Sequence, residues 1–494
     1  MGLAIDRETF SSDDFAAFDD KLQASLTALR RLLQRPGFGQ GQTSLGAELE
    51  VYLVDDKGRP SGINQTLLAN CNDARFTEEL NRFNLEMNLT PVPAQGSPFA
   101  AMADEMRSAL SLAQAEAEKL NTSIVPIAIL PTARQSDFGA DAITPLARYK
   151  ALARRLVEES GHGFNVAIDG PEPIEFHSDQ IALEGANTAF QMHLRVNPDR
   201  FVDTYNAAML MTPLVLAISG NSPFLFGHRL WDETRVALFK QSIDVRDVEQ
   251  FKWRAPARVA FGHGWLRSSP WEPFAAAVAM HPPLIVPMGD EDPLAVVEAG
   301  GVPELLELRL QLGTTWPWVR AVYDPAQGGH FRIELRALPA GPTVNDMMAS
   351  SAFLVGLAVG TADLMPLVLP AMPFRYAEHN FYRAAKRGID ANLVWPSRRQ
   401  TELTEMSTIE ICRLMMPLVR KGLAEIGVDD SQIRHWLGII EERLAVGMTG
   451  ARWQAAQVAH HEKTMPRESA LAAMLKQYQQ LNRLGHPVAQ WPVV

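Results

Sequence analysis

The sequence predicts an α+β fold built on a mainly antiparallel sheet. Four segments alternate between apolar and polar residues, and the helical patterns between them lack the regular β-α-β spacing of a parallel sheet. With 494 residues, 47% hydrophobic and 21% charged, the chain is long enough to bury a large core. The alternating segments read SLGAELEVYLV, FNLEMNL, NTAFQMHLRV and FRIELRA.

An amphipathic pattern over residues 13–35 predicts a first helix that ends before Pro36 and Gly37. We expect residues 1–43 to form this helix and a loop that leads into the first strand. The apolar residues of the helix recur at helical spacing: Phe15, Phe18, Leu22, Leu26, Leu29 and Leu33.

The first strand carries Glu48 and Glu50, two residues apart. Because side chains alternate between the faces of a strand, both carboxylates point from the same face. Two like charges about 7 Å apart repel each other unless a cation lies between them. A solvated sheet face is the alternative interpretation of this segment taken alone.

Helices and short strands are predicted along the rest of the chain. The apolar run IVPIAIL, at 124–130, predicts a fully buried strand. Residues 250–300 are expected to form loops around a site, and residues 400–494 to be helical, with breaks at 427–430 and 447–450. Further helices are expected over 98–120 and 147–160, from Pro198 to the SGNSPF segment, over 344–365, and in AEHNFYRAAKRGIDA, which ends near Gly388.

The polar faces of the four alternating segments would meet if the strands share one sheet. Crowded carboxylates need a cation, and oxygen-rich ligand sets suit Mg²⁺ or Mn²⁺ better than zinc. Arginines among them suit a polyphosphate that bridges the metals. The pattern favours metal–nucleotide chemistry, with a solvated or salt-bridged sheet face as the alternative. The residues concerned are Glu48, Glu50, Glu86 and Glu334, flanked by Gln191, His193 and Arg336.

Charge and composition argue against several classes of partner. A net charge of −11 disfavours nucleic acid or an acidic membrane surface. The first residues lack the apolar region of a signal peptide, and the longest apolar stretches are too short or too interrupted by proline to span a bilayer. Cys71 and Cys412 lie far apart without disulfide or zinc spacing, so a soluble cytoplasmic protein is expected.

Several familiar catalytic motifs are absent from the sequence. It contains no P-loop, no GxGxxG that opens a helix after a strand, and no GxSxG elbow. GHGW and QGGH fit either a phosphate-binding loop or an ordinary turn. A metal-dependent hydrolase is disfavoured because such sites usually contain more histidine or Asp/His pairs.

Eight segments, in order over residues 44–395, resemble the glutamate–cysteine ligase type 2 family of carboxylate–amine ligases. GAELEVYLV resembles the first metal-binding strand of the family. FTEELNRFNLEMNLTP resembles its second acidic segment, which makes Glu79 and Glu86 the counterparts of its acidic residues. HFRIELRALPAGPT resembles the strand with the last metal glutamate and a substrate arginine. The other similar segments are LARYKAL, NTAFQMHLRV, ISGNSPFLFG, DETRVALFKQSID and AEHNFYRAAKRGIDANLV.

The resemblance implies a glutamine synthetase-like fold, in which a curved, mainly antiparallel sheet forms a funnel flanked by helices. It implies a catalytic domain over residues 44–395 and a helical C-terminal region over 396–494, which either forms a homodimer or covers the sheet. ATP would activate a carboxylate, that of L-glutamate in the family, as an acyl phosphate. An amine such as L-cysteine would then attack it, as in glutathione biosynthesis.

The resemblance also implies roles for individual residues. Glu334 and Arg336 are expected to be catalytic, and the arginines have surface salt bridges as their alternative interpretation. The expected ligands of Mg²⁺ or Mn²⁺ are Glu48, Glu50, Glu79, Glu86, Gln191 and Glu334. The expected ATP or substrate contacts are Arg235, Arg336, Arg148, His193, Asn221 and Ser222.

Two alternatives stay open within this resemblance. The chain is either a ligase for a different acid and amine, or a non-catalytic relative that binds nucleotide, although its full acidic set argues against a decayed site. His193 adds an imidazole where relatives vary. Residues 250–330 match no family segment, so the amine specificity is expected to reside there.

Overall fold

An eight-stranded antiparallel sheet lies at the centre of the computed structural model, which describes residues 5, 7–246, 256–396 and 402–493. The strands of the described residues are β1 (Ser44–Val54), β2 (Phe76–Glu78), β3 (Asn84–Asn88), β4 (Val92–Pro93), β5 (Ser123–Val125), β6 (Phe164–Ile168), β7 (Ile174–Ser178), β8 (Phe190–Val196), β9 (Phe224–Leu225), β10 (His228–Arg229), β11 (Val259–Ala260), β12 (Trp316–Pro317), β13 (Val319–Asp324), β14 (His330–Leu335), β15 (Asn392–Pro396) and β16 (Leu403–Ser407). The central sheet has the order β13-β14-β8-β1-β3-β2, and β4 and β5 pair with β1.

Helices flank this sheet. The α-helices are α1 (Ser12–Leu33), α2 (Asn64–Cys71), α3 (Pro98–Glu118), α4 (Ala147–Ser160), α5 (Pro198–Ser219), α6 (Arg235–Ser242), α7 (Glu272–Met280), α8 (Pro293–Glu298), α9 (Leu306–Gly313), α10 (Val344–Thr361), α11 (Met365–Val368), α12 (Phe374–Arg387), α13 (Thr408–Glu425), α14 (Asp430–Val446), α15 (Gly450–His461) and α16 (Arg467–Leu484). The curled antiparallel sheet with flanking helices confirms the predicted α+β class.

The alternation of the sequence gives the central sheet one apolar and one polar face. In the register, Leu49 of β1 lies opposite Met87 of β3 and Phe190 of β8, and Leu194 lies opposite Ile333 of β14. These side chains are buried, and α5 and α10 pack against this side of the sheet. Burial of the apolar face fixes the register, because a slip by one residue would turn every side chain to the other face.

Local signals in the sequence set the ends of several helices. The Ser11 hydroxyl accepts a hydrogen bond from the Asp14 amide, and the Asp14 carboxylate accepts one from the Ser11 amide. This capping box starts α1, which ends before Pro36 as predicted. Gly388, at a φ of +52°, follows α12 where that helix was expected to end.

Three predictions of secondary structure were wrong. Only the start of the run at 124–130 is strand, because β5 ends at Val125 and Pro126 has no amide hydrogen to donate. Residues 403–407 form β16, which pairs with β15, so the C-terminal helices begin only at Thr408 after the Ser407 cap. The region 250–300 contains α7, α8 and β11 rather than loops alone, and its residues 250–255 lie outside the described residues.

Two helical segments are long and apolar enough by composition to cross a membrane: α5 (Pro198–Ser219) and Val344–Ala371, which includes α10 and α11. Most of each segment is buried inside the fold. Because the core helices of large proteins share this composition, the two segments are weak evidence for a membrane span.

The C-terminal helices α13 and α14 pack on α10, one of the helices that cover the apolar face of the central sheet. Gly356 and Gly360 of α10 face Gly422 of α13, and a Cβ atom at Gly422 would overlap the backbone of both. Arg443 of α14 forms a buried ion pair with Asp346 of α10, at 2.8 Å. The C-terminal region therefore covers α10. Whether it also dimerises the chain, and where the predicted domain boundary lies, stay predictions.

Candidate active site

Three carboxylates meet on the polar face of the sheet where β1 lies beside β3. Glu50 is paired in register with Glu86, and Glu79 follows directly after β2. One carboxylate oxygen of each residue lies within 4.8 Å of those of the other two. We call Glu50, Glu79 and Glu86 the first carboxylate group.

The environment of the first carboxylate group opposes three negative charges. Glu50 accepts hydrogen bonds from the Ala189 amide, at 2.8 Å, and from Gln191 Nε2, at 2.9 Å. Burial, followed by the charge of Glu86, nevertheless raises the pKa of Glu50 to about 8. The same two causes raise the pKa of Glu79 well above its usual range. Without a nearby cation, part of this group would be protonated at neutral pH.

Glu48, His193 and Glu334 form a second group, on the neighbouring strands β1, β8 and β14. Nε2 of His193 lies 3.1 Å from Glu48 Oε1 and 3.6 Å from Glu334 Oε1. The His193 side chain is buried, yet neither ring nitrogen makes a well-directed hydrogen bond to a described residue. Burial raises the pKa of Glu48, but the adjacent imidazole outweighs it and holds this pKa below its usual range.

Two arginines hold Glu334. Arg320 of β13, opposite Glu334 in the register, donates from Nε to Oε2 at 2.5 Å and from Nη2 to Oε1 at 2.9 Å. Nη1 of Arg336 lies 3.3 Å from the same Oε2 and also donates to Gln191 Oε1. Burial raises the pKa of Glu334, but the two guanidinium groups outweigh it and lower this pKa to about 2. Glu334 is therefore ionised at neutral pH.

Two cavities, of about 390 and about 380 Å³, lie over the polar face. The first carboxylate group lines one cavity, and His193 and Glu334 line the other. Arg148 makes no hydrogen bond or ion pair with any described residue, so its guanidinium is available to an anionic ligand. The residues that line both cavities are Glu48, Arg148, Gly313 and Arg320.

Both groups fit divalent metal ions. Five of their six side chains are carboxylates, which suits Mg²⁺ or Mn²⁺. The raised pKa of Glu50 is expected where a cation completes a site, and the imidazole of His193 offers a nitrogen ligand next to Glu48 and Glu334. Gln191, predicted as a metal ligand, lines the first cavity and bonds Glu50 and Arg336 through its two amide atoms. The metal itself stays a prediction.

Three predicted contact residues lie outside both cavities. Arg235 is buried at the start of α6 and donates to the carbonyl oxygen of Ala337, directly after Arg336. Asn221 and Ser222 are fully buried beside it, and the Ser222 hydroxyl accepts from the Arg235 amide. Their positions suit residues that hold the segment after β14 in place, and they give no support to a contact with ATP or substrate.

The sequence reasoning missed Arg320, which lies on the edge strand β13. The strand reads VRAVYD, and its apolar side chains Val319, Ala321 and Tyr323 do alternate. Val322 occupies the polar face between Arg320 and Asp324, so the segment carries a weaker alternating signal than the four predicted strands. The short alternation of Val319, Ala321 and Tyr323 was the signal that could have identified β13 as a strand with Arg320 on its polar face.

Two further residues of the first cavity were also missed. Glu184 lies in the 3₁₀ turn Ile181–Ala186, and burial raises its pKa to about 7. Tyr149 follows Arg148 on α4, and its hydroxyl donates to the Glu78 carbonyl oxygen at 3.0 Å. No strand periodicity marks either position, because neither lies on the sheet.

The model of Glutamate-cysteine ligase family 2 matches residues 44–473. The match begins at the first residue of β1 and extends into α16, so it includes both groups and Arg320. No curated protein matches the chain.

Solved structures with a similar fold include a glutamate–cysteine ligase from Francisella tularensis in complex with AMP, at a TM-score of 0.55 and 11% identity over 90% of each chain. This likeness shows the fold. A bifunctional glutathione synthetase from Pasteurella multocida has a TM-score of 0.40 and 12% identity, over 94% of this chain and 55% of that one. The complex between the prokaryotic ubiquitin-like protein Pup and its ligase PafA has a TM-score of 0.40 and 8% identity, over 88% and 72%.

Proposed function

The chain belongs to glutamate-cysteine ligase family 2 and is an ATP-dependent carboxylate–amine ligase, and we propose that its product is a γ-glutamyl amide. L-glutamate would be the acid. L-cysteine, after which the family is named, is the reference amine, and a product with cysteine would belong to glutathione biosynthesis.

One observation supports the proposal: two groups of side chains that could bind metal ions lie over one sheet face, with arginines between them. Phosphoryl transfer requires little covalent chemistry from a protein, but it requires charges placed around the phosphates. Arg148 and Arg320 line both cavities, so a phosphate bound beside these guanidinium groups would lie between the two groups of carboxylates.

The proposed reaction has two steps. A γ-carboxylate oxygen of glutamate attacks the γ-phosphorus of ATP, and ADP leaves, which gives an acyl phosphate. The amine nitrogen then attacks the acyl carbon and loses a proton, and phosphate leaves as the amide forms. In each step negative charge develops on oxygen atoms, and cations held in fixed positions by the protein would stabilise that charge.

The residues of the site have distinct roles in these steps. Glu50, Glu79 and Glu86 would hold one divalent ion, and Glu48, His193 and Glu334 another; such ions neutralise phosphate charge. The guanidinium of Arg148 has no ion-pair partner among the described residues and would bind phosphate or a substrate carboxylate. Arg320 and Arg336 would orient Glu334 and face the transferred group.

A ligase for another acid and amine is the main alternative, and a non-catalytic nucleotide-binding relative is the second. The second alternative is disfavoured because six side chains that could bind metal ions and three arginines lie close together. Buried, crowded carboxylates cost stability when no cation is bound, so we expect their retention to reflect use. A cytoplasmic location and a homodimer remain part of the proposal.

The test measures ADP release with Mg²⁺-ATP, L-glutamate and a panel of amines that includes L-cysteine, with a mass spectrum of each product. An amide of the expected mass would establish the reaction and name its amine. Glu334→Gln should abolish turnover, whereas Glu298→Gln, at an exposed carboxylate far along the chain, should not. ATP binding without ADP release in any acid–amine combination would refute the proposed activity.

A further inference from the structure

A third cavity, of about 360 Å³, lies beside β13, the terminal strand of the central sheet among the described residues. Leu312, Arg320 and Ala321 line both this cavity and the one that contains Glu334. The cavity is therefore a direct neighbour of the proposed reaction centre. We call it the edge pocket.

The walls of the edge pocket are mostly apolar. Met209 of α5, Ala276 and Met280 of α7, and two indole rings line it. The indoles of Trp265 and Trp271 donate their N–H groups to the carbonyl oxygens of Met372 and Leu26. Both N–H groups are thus satisfied within the protein, and what the indoles add to the pocket is aromatic carbon surface.

Most polar side chains of the pocket are engaged within the protein, and the exposed Arg267 is the charged side chain whose guanidinium has no hydrogen-bond or ion-pair partner among the described residues. Arg258 donates to two backbone carbonyl oxygens, and Glu272 accepts from three successive backbone amides. The rings of His263 and His281 lie 5.9 Å apart, and neither makes a hydrogen bond to a described residue. His281 is buried, and burial together with the charge of Arg258 keeps it neutral at pH 7.

A mainly apolar pocket with a few unengaged polar groups is the usual form of a small-molecule site. The two candidate-site cavities differ from it, because carboxylates and arginines dominate them. Phosphates and amino acid carboxylates suit those charged cavities. The apolar wall of the edge pocket suits a body of aromatic or aliphatic carbon, and Arg267 lies at its exposed side.

We propose that the edge pocket binds the apolar body of the amine substrate, so that this chain prefers an amine with an aromatic or branched aliphatic group. The inference rests on the proposed ligase function and selects among its amines. The amine nitrogen would point towards Arg320 and Leu312, where the pocket borders the Glu334 cavity. The neutral imidazoles would meet a single polar group on the body.

The experiment uses the full chain and phenethylamine as the probe, with ethanolamine as an amine that lacks an apolar body. Binding is followed by tryptophan fluorescence, since Trp265 and Trp271 line the pocket, and turnover by ADP release with ATP and L-glutamate. Ala276→Leu fills part of the pocket. Ala472→Leu makes the same change in a separate surface groove and is the matched control.

We expect phenethylamine to bind at least tenfold more tightly than ethanolamine, and Ala276→Leu to weaken its binding and raise its KM at least tenfold. The KM values for ATP and L-glutamate, and all constants of Ala472→Leu, should not change. Equal phenethylamine affinity in the Ala276→Leu and wild-type proteins would overturn the inference. So would turnover with L-cysteine and none with phenethylamine. Absence of ADP release with every amine would instead refute the ligase, and the fluorescence titration would still decide whether the pocket binds the probe.

Discussion

Arg320→Lys is the substitution that tests the candidate site most directly. Lysine keeps the positive charge but cannot form the two parallel hydrogen bonds that Arg320 makes with Glu334. The Glu334 carboxylate would then lose one charge-assisted hydrogen bond and shift in its position over the sheet.

The size of the effect follows from that lost bond. A hydrogen bond to a charged group contributes about 1.5–3 kcal/mol. Since about 1.4 kcal/mol corresponds to a tenfold change, we expect kcat/KM for the ligase reaction to fall by roughly 10- to 150-fold. Arg336 still contacts Glu334, at 3.3 Å, so the carboxylate should remain ionised and the fold intact.

The assay is ADP release at saturating Mg²⁺, with the fold checked by circular dichroism and thermal unfolding. Arg383→Lys is the matched control, because Arg383 makes a similar two-bond pair with Glu405 on the surface. Exposed pairs contribute about 0–1 kcal/mol, so that variant should keep its activity. Unchanged kcat/KM in Arg320→Lys, or an equal loss in Arg383→Lys, would refute the assignment of Arg320 to the site.

Three further predictions concern metal, stability and pH. Chelation of divalent ions should abolish ADP release, and added Mg²⁺ or Mn²⁺ should restore it; activity that persists after exhaustive chelation would contradict the metal site. Asp346→Asn should lower the free energy of unfolding by about 3–5 kcal/mol because it leaves the Arg443 charge buried without its partner, whereas the exposed Asp363→Asn should change it by less than about 1 kcal/mol, both measured by urea denaturation. Burial and the charge of Arg258 lower the pKa of His281 in the folded protein to about 4, whereas it is about 6.5 in the unfolded chain. Between these two pH values the unfolded state binds a proton that the folded state does not. The free energy of unfolding should therefore fall as the pH drops from 6.5 to 4. His281→Asn should reduce that slope, and an identical slope in both proteins would show that His281 does not cause it.

The central sheet and most of the candidate site could be predicted because strand periodicity determines which side chains share a face. The four alternating segments are β1, β3, β8 and β14, and their register places Glu48 beside Gln191 and Glu334 beside His193. Periodicity also brought Glu50 and Glu86 together. Where a strand is strongly amphipathic, the sequence determines the face that each side chain occupies.

The other site residues depend on tertiary packing, which a local pattern does not contain. Arg235 and Asn221 are polar residues in segments that resemble family motifs, but α6 and the C-terminal helices enclose them. Glu184 reaches the first cavity from a turn, and Arg320 from an edge strand with a mixed pattern. Sequence spacing predicts which face of a helix or strand a side chain occupies. How deeply that side chain is buried depends on elements that are distant in the sequence and pack over it.

The contact between Gly356, Gly360 and Gly422 bears on how this protein can diverge. At this crossing the backbones of α10 and α13 touch with no side chain between them, so any residue larger than glycine would force the helices apart. Because α10 begins at Val344, soon after Arg336, such a displacement would reach β14 and the candidate site. The C-terminal helices are thus not an exchangeable module: a chimaera that replaces them with those of another ligase would have to preserve all three glycines and the crossing angle that they permit.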